Sequence, residues 1–378
     1  MRLRLRRSCL RVDKPSVSQG HWRHCGMVHL ISSQPLESHA TPLATIFHYD
    51  IMRVMACLAV VLLHLAATIV MDDTSRGSLS WHVANLLDAG TRWCVPLFVM
   101  LSGALLLDRR KDHDAHTFGV KRLRRIGPAI LFWSVAYLLW RILFWKQSLS
   151  LETVLSDLIL GRPFIHLYFL FLIGGLYLVT PYLWSAVAAL SERQFRNAVV
   201  MVFALAIGAN AIDFLGTSIF TLFVPYLAYY LAGAYINRGA QFGTGPLVFT
   251  FASAIFATVL TTAFLVHQGG LEWRWAFYFY EDFSPTTVLA TVALFMFASA
   301  WQWPPSMARA AHLLAPYTFG IYVAHPMIVE CLRYAYHLWT PFLFRPVFYV
   351  PVTFSLTLAL TTILVMLIRH LPFLRTVV

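Results

Sequence analysis

Residues 53–64 read RVMACLAVVLLH and lie within the first long apolar stretch of the chain. The two ends of this segment are Arg53 and His64, side chains that are costly in a helix facing lipid. The eleven helical steps between them come to about three full turns, so both side chains lie on one face, about 16 Å apart along the axis. The spacing therefore predicts a helix whose polar face meets protein or water.

The composition of the whole chain is that of a membrane protein. The chain has 378 residues, of which 59% are hydrophobic and only 12% are charged, and its mean hydropathy is +0.66. Ordinary soluble domains carry about twice as many charged residues. Apolar runs of about 20 residues recur along the chain and are continuous rather than alternating, which predicts helices and excludes a membrane β-barrel.

The predicted fold is all-α, a polytopic integral membrane protein with about ten transmembrane helices in a domain of residues 46–372. The predicted spans 198–215 and 218–237 are separated by Gly216, and Pro225 interrupts the second, so a single broken helix over 198–237 is the alternative. The predicted spans are 49–70, 86–107, 126–146, 165–189, 198–215, 218–237, 246–267, 286–303, 313–337 and 347–369.

The distribution of basic residues predicts the orientation. The connection 108–125, DRRKDHDAHTFGVKRLRR, holds seven Lys and Arg residues. With ten spans, thirteen Lys and Arg residues after Arg53 lie on the same side of the membrane as this connection, and seven lie on the opposite side. Since cytoplasmic loops of membrane proteins are enriched in Lys and Arg, both termini are expected in the cytoplasm.

The two termini differ from the rest of the chain. Residues 1–45 begin with the basic run MRLRLRRSCLR, without the apolar segment of a signal peptide, and are expected to be a disordered cytoplasmic segment. A start assigned too far upstream is the alternative, with Met27 or Met52 nearer the true start. Residues 373–378 are expected to form a short cytoplasmic tail.

The overall charge and the cysteines exclude several classes of function. The formal net charge is +12, and the loop bias of a membrane protein accounts for it without a nucleic-acid partner. The five cysteines are scattered and show no metal-ligand spacing, so neither a disulfide framework nor a metal site is expected.

His64 is the strongest candidate for a catalytic residue. A neutral imidazole titrates near working pH and can remove a proton from a hydroxyl, so the prediction for His64 is a general base. Arg53 is always charged and suits a phosphate or carboxylate near the cytoplasmic surface. Asp50 lies one turn before Arg53, and the alternative is that these two residues simply form an ion pair.

The second span and the basic run after it give further candidates. Arg92 precedes VPLFVMLSGALLL (95–107), where Ser102 and Gly103 allow close helix packing, and a packing role and a role in the site are both open there. KRLRRIGP (121–128) opens the next helix. It is either an orientation signal or an anion site, in which three arginines would hold the phosphates of a nucleotide-bearing donor. These are Arg122, Arg124 and Arg125.

Two later segments also place polar residues within apolar spans. His166 and Tyr168 open one of these segments, and His325 is followed by Pro326 and then by Glu330. A second histidine within the membrane, with a carboxylate nearby, is a candidate for function, although a hydrogen bond between helices is an equal alternative for His325.

Two connections on the outer side, 147–164 and 268–285, are also long. The second is rich in aromatic residues and is expected at the membrane interface, with a sugar-stacking surface as the alternative. No internal repeat supports a pseudo-symmetric transporter.

Five motifs, in this order, resemble the membrane acyltransferase-3 family, and the resemblance covers about residues 46–370. It looks closest to the subgroup that O-acetylates bacterial surface polysaccharides such as the enterobacterial common antigen. The motifs are YDIMRVMACLAVVLLH (49–64), VPLFVMLSGALLL (95–107), KRLRRIGP (121–128), HLYFLFLIGGLYLVTP (166–181) and YTFGIYVAHP (317–326).

The resemblance implies roles for individual residues. Arg53 and His64 match the arginine and histidine of the family's R-x10-H motif. Lys121 to Arg125 match its basic motif linked with donor binding, and Ser102 matches a serine of its serine–glycine pair. Tyr168 departs from the family, which often has tryptophan there.

The expected function is therefore an O-acyltransferase of the bacterial inner membrane. The family implies transfer of an acyl group, commonly acetyl from cytoplasmic acetyl-CoA, to a hydroxyl of an extracytoplasmic glycan or lipid-linked sugar. Acetyl-CoA is a co-substrate, and no cofactor is expected to stay bound. The alternatives are transfer of another acyl group such as succinyl, and a transporter or export partner for a glycan or small solute. The oligomeric state and the choice between direct transfer and an acyl intermediate stay open.

Overall fold

In a computed structural model of the protein, the described residues are 42–107, 114–212, 218–239, 243–269, 273–339 and 346–378. Every regular element in this part of the chain is helical, as the composition predicts. Residues 1–41 of the predicted N-terminal segment lie outside it. Its α-helices are α1 Pro42–Val70, α2 Leu79–Ala89, α3 Cys94–Leu106, α4 Ala115–Leu143, α5 Leu151–Ile159, α6 Tyr168–Ala189, α7 Glu192–Ala211, α8 Leu227–Ile236, α9 Thr244–Gln268, α10 Trp273–Ala276, α11 Pro285–Ala300, α12 Pro305–Leu314, α13 Thr318–Trp339 and α14 Pro346–His370.

Among the described residues, eight helical segments are long and apolar enough to cross a membrane, so the chain is a multi-pass membrane protein. Each of the ten predicted spans overlaps a helix, but α8 has only 10 residues. Its length of about 15 Å is half the thickness of a bilayer core. The count of ten spans and the cytoplasmic position of the termini stay predictions.

Helix α1 lies at the centre of the bundle and packs against α2, α3, α12, α13 and α14. Its side chains Met52, Ala56 and Val60 are almost completely buried in the main core. Because α1 is surrounded on several sides, its polar side chains face protein and an internal cavity, as the opening spacing predicts.

Helices α3 and α8 cross very closely because of two glycines. A Cβ atom on Gly103 would lie 1.8 Å from the carbonyl oxygen of Tyr230, and one on Gly233 would lie 1.9 Å from that of Met100. The Ser102 hydroxyl donates to Phe98 O within its own helix, at 2.9 Å. These contacts support the packing interpretation of the serine–glycine pair.

The second predicted span, 86–107, is broken in the structure. Helix α2 ends at Ala89, and α3 begins at Cys94 after a short turn. Within this turn, the Trp93 indole donates to Gly90 O at 2.6 Å and Thr91 donates to Leu87 O at 2.8 Å. The break satisfies backbone groups inside the bundle and places Arg92 there.

The described parts of the two long connections contain short helices and buried aromatic side chains. The first, 147–164, contains α5, whose Leu151, Leu155 and Ile159 form an exposed apolar stripe. In the second, 268–285, Phe277 and Tyr280 are buried among the helices. Those two side chains are therefore part of the core rather than a membrane-interface belt or a sugar-stacking surface.

The last residues fold back onto the bundle. Val377 is 4% exposed, and its carbonyl oxygen accepts a 2.8 Å hydrogen bond from the Trp133 indole. The segment predicted as a short tail therefore gives a buried indole its acceptor, which an apolar helix surface cannot supply.

Candidate active site

Three histidines from three helices meet near the middle of the bundle, and we call them the histidine cluster: His64, His166 and His325. His64 comes from α1, His166 directly precedes α6, and His325 lies in α13. The ring centroids of His64 and His325 are 5.1 Å apart, those of His166 and His325 5.7 Å, and those of His64 and His166 6.4 Å. The structure thus brings together three predicted site residues that are far apart in the sequence.

Backbone carbonyls fix the tautomers of two members of the cluster. His325 Nδ1 lies 2.8 Å from Tyr322 O, and His166 Nε2 lies 3.2 Å from Val323 O. A carbonyl oxygen can only accept, so each of these nitrogens carries its hydrogen. The opposite nitrogens, His325 Nε2 and His166 Nδ1, are therefore bare acceptors when the rings are neutral. They are buried, and no described residue donates to them.

His64 differs from its two neighbours because it faces a cavity. Both neighbours are almost fully buried, with His166 2% exposed and His325 fully enclosed, whereas His64 is partly exposed. No described residue forms a hydrogen bond with the His64 ring. This is the arrangement expected of a base that has to reach a substrate proton.

The cavity has a volume of about 620 Å³ and is lined by polar and aromatic groups as well as by His64. Ligand sites for small molecules fall in the range of about 300–1,000 Å³. Its charged lining residues are Arg141, Asp157, Arg162, Glu330 and Arg333.

Two of these charged groups are already held by protein partners. Arg141 forms an ion pair with Asp157 at 2.6 Å and donates to Pro163 O at 3.1 Å. Glu330 accepts from the indoles of Trp140 and Trp145 at 2.7 and 2.9 Å. The predicted carboxylate near His325 is thus present on the cavity wall, but its hydrogen bonds go to tryptophans.

A second buried network surrounds Arg92. Its Nε lies 2.5 Å from Asp88 Oδ1, one helical turn back, and its guanidinium stacks 4.1 Å from the Tyr280 ring centroid. Arg92 acts electrostatically on His64 and on Asp282. A buried cation needs such an anion to offset its desolvation.

Tyr168 belongs to the same region. It interacts with the hydroxyl of Tyr226, and the Tyr226 hydroxyl lies 2.5 Å from Asp282 Oδ2. The predicted supporting residues Arg92 and Tyr168 are therefore linked through one buried network rather than lying on separate surfaces.

The other polar end of α1 carries what we call the basic cluster: Arg53, Arg122 and Arg125. All three act electrostatically on Tyr177 of α6, and Arg53 also on Arg125. The Arg122 guanidinium lies 5.2 Å from the ring centroid of Phe118 and 5.4 Å from that of Tyr177. Its Nε is buried without a hydrogen-bond partner among the described residues.

The cap of α4 sets the register of these arginines. Asp114 precedes the helix and accepts from the backbone N–H of Thr117 at 2.9 Å. The N–H and hydroxyl of Thr117 both lower the pKa of this carboxyl, since they stabilise its charged form. From this start, Phe118, Arg122 and Arg125 fall on one side of α4, because residues three or four apart share a face.

Lys121 and Arg124 are not brought into the basic cluster. Neither is among the charges that act on Tyr177, which are Arg53, Arg122 and Arg125, and Arg124 lies about 160° around α4 from Arg122. Of the four residues matched to the donor motif, only Arg122 and Arg125 therefore face Arg53.

Asp50 holds Arg53 from one side. The Arg53 guanidinium donates to Asp50 Oδ1 at 2.8 Å, which confirms the predicted pair. The second oxygen, Asp50 Oδ2, lies 2.8 Å from His312 Nδ1 on α12. Arg53 remains partly open, with 34% of its side chain exposed.

Several residues of the site escaped the sequence analysis. Asp88 lies one turn before Arg92, a spacing that could have indicated the pair. Arg141 and Asp157 had no such signal, because the turn that joins them depends on the packing of α5. Asp282 and Tyr226 lie in two turns that are 56 residues apart in the sequence, and no local pattern links them.

The fold and the site together define a polytopic membrane protein with a histidine on a cavity wall and a basic cluster at the other end of the same helix. The family described as an acyltransferase domain matches residues 47–368. The chain therefore belongs to the acyltransferase-3 family, and it is a membrane acyltransferase. Neither curated proteins nor solved structures give a significant match to the chain.

Proposed function

We propose that this protein is an O-acetyltransferase that moves acetyl from acetyl-CoA to a hydroxyl of a surface polysaccharide or lipid-linked sugar. The observation that carries the proposal is the layout of α1. Its cavity-facing histidine and its arginine within a basic cluster lie on one face of a helix that can cross a membrane.

The donor binds at the basic cluster. Acetyl-CoA carries several phosphate charges, and arginine guanidinium groups match phosphate oxygens in geometry and charge. Arg122 and Arg125 are the main candidates, and Arg53 is the third. The excess of Lys and Arg on this side of the chain supports a cytoplasmic entrance for the donor.

The chemistry takes place at His64. A neutral His64 removes the proton from the acceptor hydroxyl as its oxygen attacks the thioester carbonyl carbon. The new C–O bond forms, the C–S bond breaks, and the thiolate of CoA receives the proton from the His64 imidazolium. This direct route balances without an oxidant or a metal, and a transient acyl intermediate is the alternative.

The separation of the two ends suits this division of roles. Arg53 and His64 lie about 16 Å apart along α1. The pantetheine arm of CoA spans this separation, so the phosphates stay at the basic cluster while the thioester reaches the histidine cluster. The acceptor enters through the cavity, on the side predicted to be extracytoplasmic. The bacterial cytoplasmic membrane is the proposed location.

The decisive experiment uses the full chain in proteoliposomes. Acetyl-CoA labelled in the acetyl group is supplied on the side of the basic cluster, with a mixture of bacterial surface glycans on the other. Release of free CoA thiol and label in the glycan are both expected. The His64→Gln protein should insert normally and lose about 10³-fold of the transfer rate.

Three other outcomes would revise the proposal. Normal acetylation by His64→Gln would remove the base from His64. Glycan movement without CoA release would indicate a transporter, and CoA release from succinyl-CoA but not from acetyl-CoA would change the acyl group.

A further inference from the structure

The mouth of the cavity carries two cations that the protein itself does not use. Arg162, just after α5, and Arg333, in α13, both line the cavity and both have exposed side chains. Neither forms an ion pair or a side-chain hydrogen bond with any residue in the described ranges. Arg333 acts electrostatically on Glu330 without pairing with it.

The charges elsewhere in the cavity are already satisfied. Arg141 is neutralised by Asp157 and is 9% exposed, so it is a structural group. Glu330 accepts hydrogen bonds from two neutral indoles. Even with Glu330 ionised, Arg162 and Arg333 leave the cavity lining with a net positive charge to attract a ligand at this end, and a concave surface concentrates their field.

The position of these arginines adds to the argument. They lie on the side that the charge distribution predicts to be extracytoplasmic, where Lys and Arg are normally depleted. Two guanidinium groups that line one cavity there together with His64, and that have no ion-pair partner among the described residues, are unexpected unless they bind something. Guanidinium groups favour carboxylate and phosphate, which they contact through two parallel hydrogen bonds.

The aromatic wall suits the uncharged part of such a ligand. Trp145 is 47% exposed and packs against Phe164, with ring centroids 5.3 Å apart. Both residues line the cavity. An apolar ring surface beside a few placed polar groups is the usual make-up of a site for a small organic ligand.

We infer that the acceptor is an anionic sugar, whose carboxylate or phosphate is bound by Arg162 and Arg333 while a hydroxyl of the same glycan reaches His64. This inference rests on the proposed function for the role of His64, but the selective binding of a charged sugar does not. The anion belongs to the glycan and not to a membrane lipid.

The test compares three matched sugars: methyl glucuronide, methyl glucoside and methyl glucoside 6-phosphate. Binding to the full chain in phosphatidylcholine nanodiscs is followed by tryptophan fluorescence, and Trp145→Phe identifies the reporting indole. The two charged sugars are expected to bind about tenfold more tightly than the neutral glucoside. Arg162→Gln and Arg333→Gln should each remove most of this difference, while Arg333→Lys should keep part of it.

Arg76→Gln is the matched control. Arg76 is an exposed arginine after the same end of α1, pairs with Asp73 at 2.6 Å and does not line the cavity. Its replacement should leave the preference for charged sugars unchanged. Equal binding of the neutral and charged sugars, or equal loss of both in the two cavity variants, would overturn the inference.

A control with an anionic lipid distinguishes the two possible sources of the anion, which are the glycan and a lipid headgroup. Nanodiscs containing phosphatidylglycerol should show the same affinity for the glucuronide. If this lipid alone produces the change that depends on Arg162 and blocks the sugar, the site binds a headgroup and the inference is wrong.

CoA release in the same preparation distinguishes the two proposals. Preferential binding of charged sugars without CoA release would reject the acetyltransferase and keep the anion site. CoA release with no preference for charged acceptors would keep the acetyltransferase and reject the anion site.

Discussion

The two polar ends of α1 differ in their exposure to water and in the groups that hold their side chains. The basic cluster is partly open, since 34% of the Arg53 side chain is exposed, and its cations are supported by aromatic rings. In the histidine cluster, His166 and His325 are enclosed and fixed by backbone carbonyls, and His64 faces the cavity. Arg53 carries its permanent charge where water reaches it, and the imidazoles of His166 and His325 lie where a charge would be costly.

This difference indicates how one helix can serve two ligands. An open cationic site can hold a highly charged donor and release it, because its affinity depends on a few exposed charge pairs. Buried neutral imidazoles beside the cavity can orient a base without forming a permanent ion pair with it. Binding and chemistry are therefore separable along α1, and each can be disturbed without the other.

The largest effect after loss of His64 itself is expected at His325. The His325 ring lies beside that of His64, with the ring centroids 5.1 Å apart, and its Nε2 has no hydrogen-bond partner among the described residues. We expect this Nε2 to accept a hydrogen bond from the His64 ring when substrate binds and thereby to orient the base. His325→Asn keeps an amide near the Nδ1 position but loses the acceptor at Nε2. We expect kcat to fall about 10²-fold with little change in the KM for acetyl-CoA.

His325→Gln is the matched variant, because its amide oxygen can take the place of Nε2. It should recover about tenfold of the rate lost in His325→Asn. If both variants lose activity equally and melt at a lower temperature, His325 has only a structural role and the division along α1 is less sharp.

The next effect concerns the basic cluster. Arg122→Gln and Arg125→Gln should each raise the KM for acetyl-CoA about tenfold, the loss expected for one charge-assisted contact, and leave kcat nearly unchanged. Arg124→Gln, on the opposite side of α4, should raise it by less than about twofold. Steady-state kinetics in proteoliposomes at fixed ionic strength measures all three.

A different order of these effects on the KM for acetyl-CoA would contradict the division of α1 into a binding end and a chemical end. If Arg124→Gln weakened the donor as much as Arg125→Gln, the run at 121–125 would attract the donor only as a general basic surface. The proposed separation of a binding end and a chemical end would then lose its support at the donor side.

The sequence was informative where the physical signal is local. Continuous apolar runs indicate membrane helices because lipid offers no hydrogen bonds to the backbone, and helices overlap all ten predicted spans. The break before Cys94 and the shortness of α8 were not predicted, since both depend on polar contacts and close packing supplied by other helices.

The site shows the same limit. Arg53 and His64 could be placed on one face because 3.6 residues per turn is a property of a single helix. The grouping of His64 with His166 and His325 depends on how three helices pack. Similarly, the basic run could not separate Arg122 from Arg124 without knowing which face of α4 turns inward.

The smallest predicted effect concerns Asp50. It tests whether Arg53 binds the donor or is only the structural partner of Asp50. Asp50 is 7% exposed and joins Arg53 to His312. Asp50→Asn keeps the size of the side chain and removes a negative charge beside the proposed phosphate site. Since ion pairs that reach solvent contribute about 0.2–1 kcal/mol, the KM for acetyl-CoA should fall by about twofold.

A rise in the KM for acetyl-CoA in Asp50→Asn would support a different role for Asp50. If Asp50 serves to aim Arg53, its loss releases the guanidinium, and the KM for acetyl-CoA should rise towards the value of Arg53→Gln. If Arg53 is only the structural partner of Asp50, Arg53→Gln and Asp50→Asn should lower the melting temperature alike and leave the KM alone. A double-mutant cycle on this pair, read in both KM and melting temperature, separates the three cases because each predicts a different sign or a different observable.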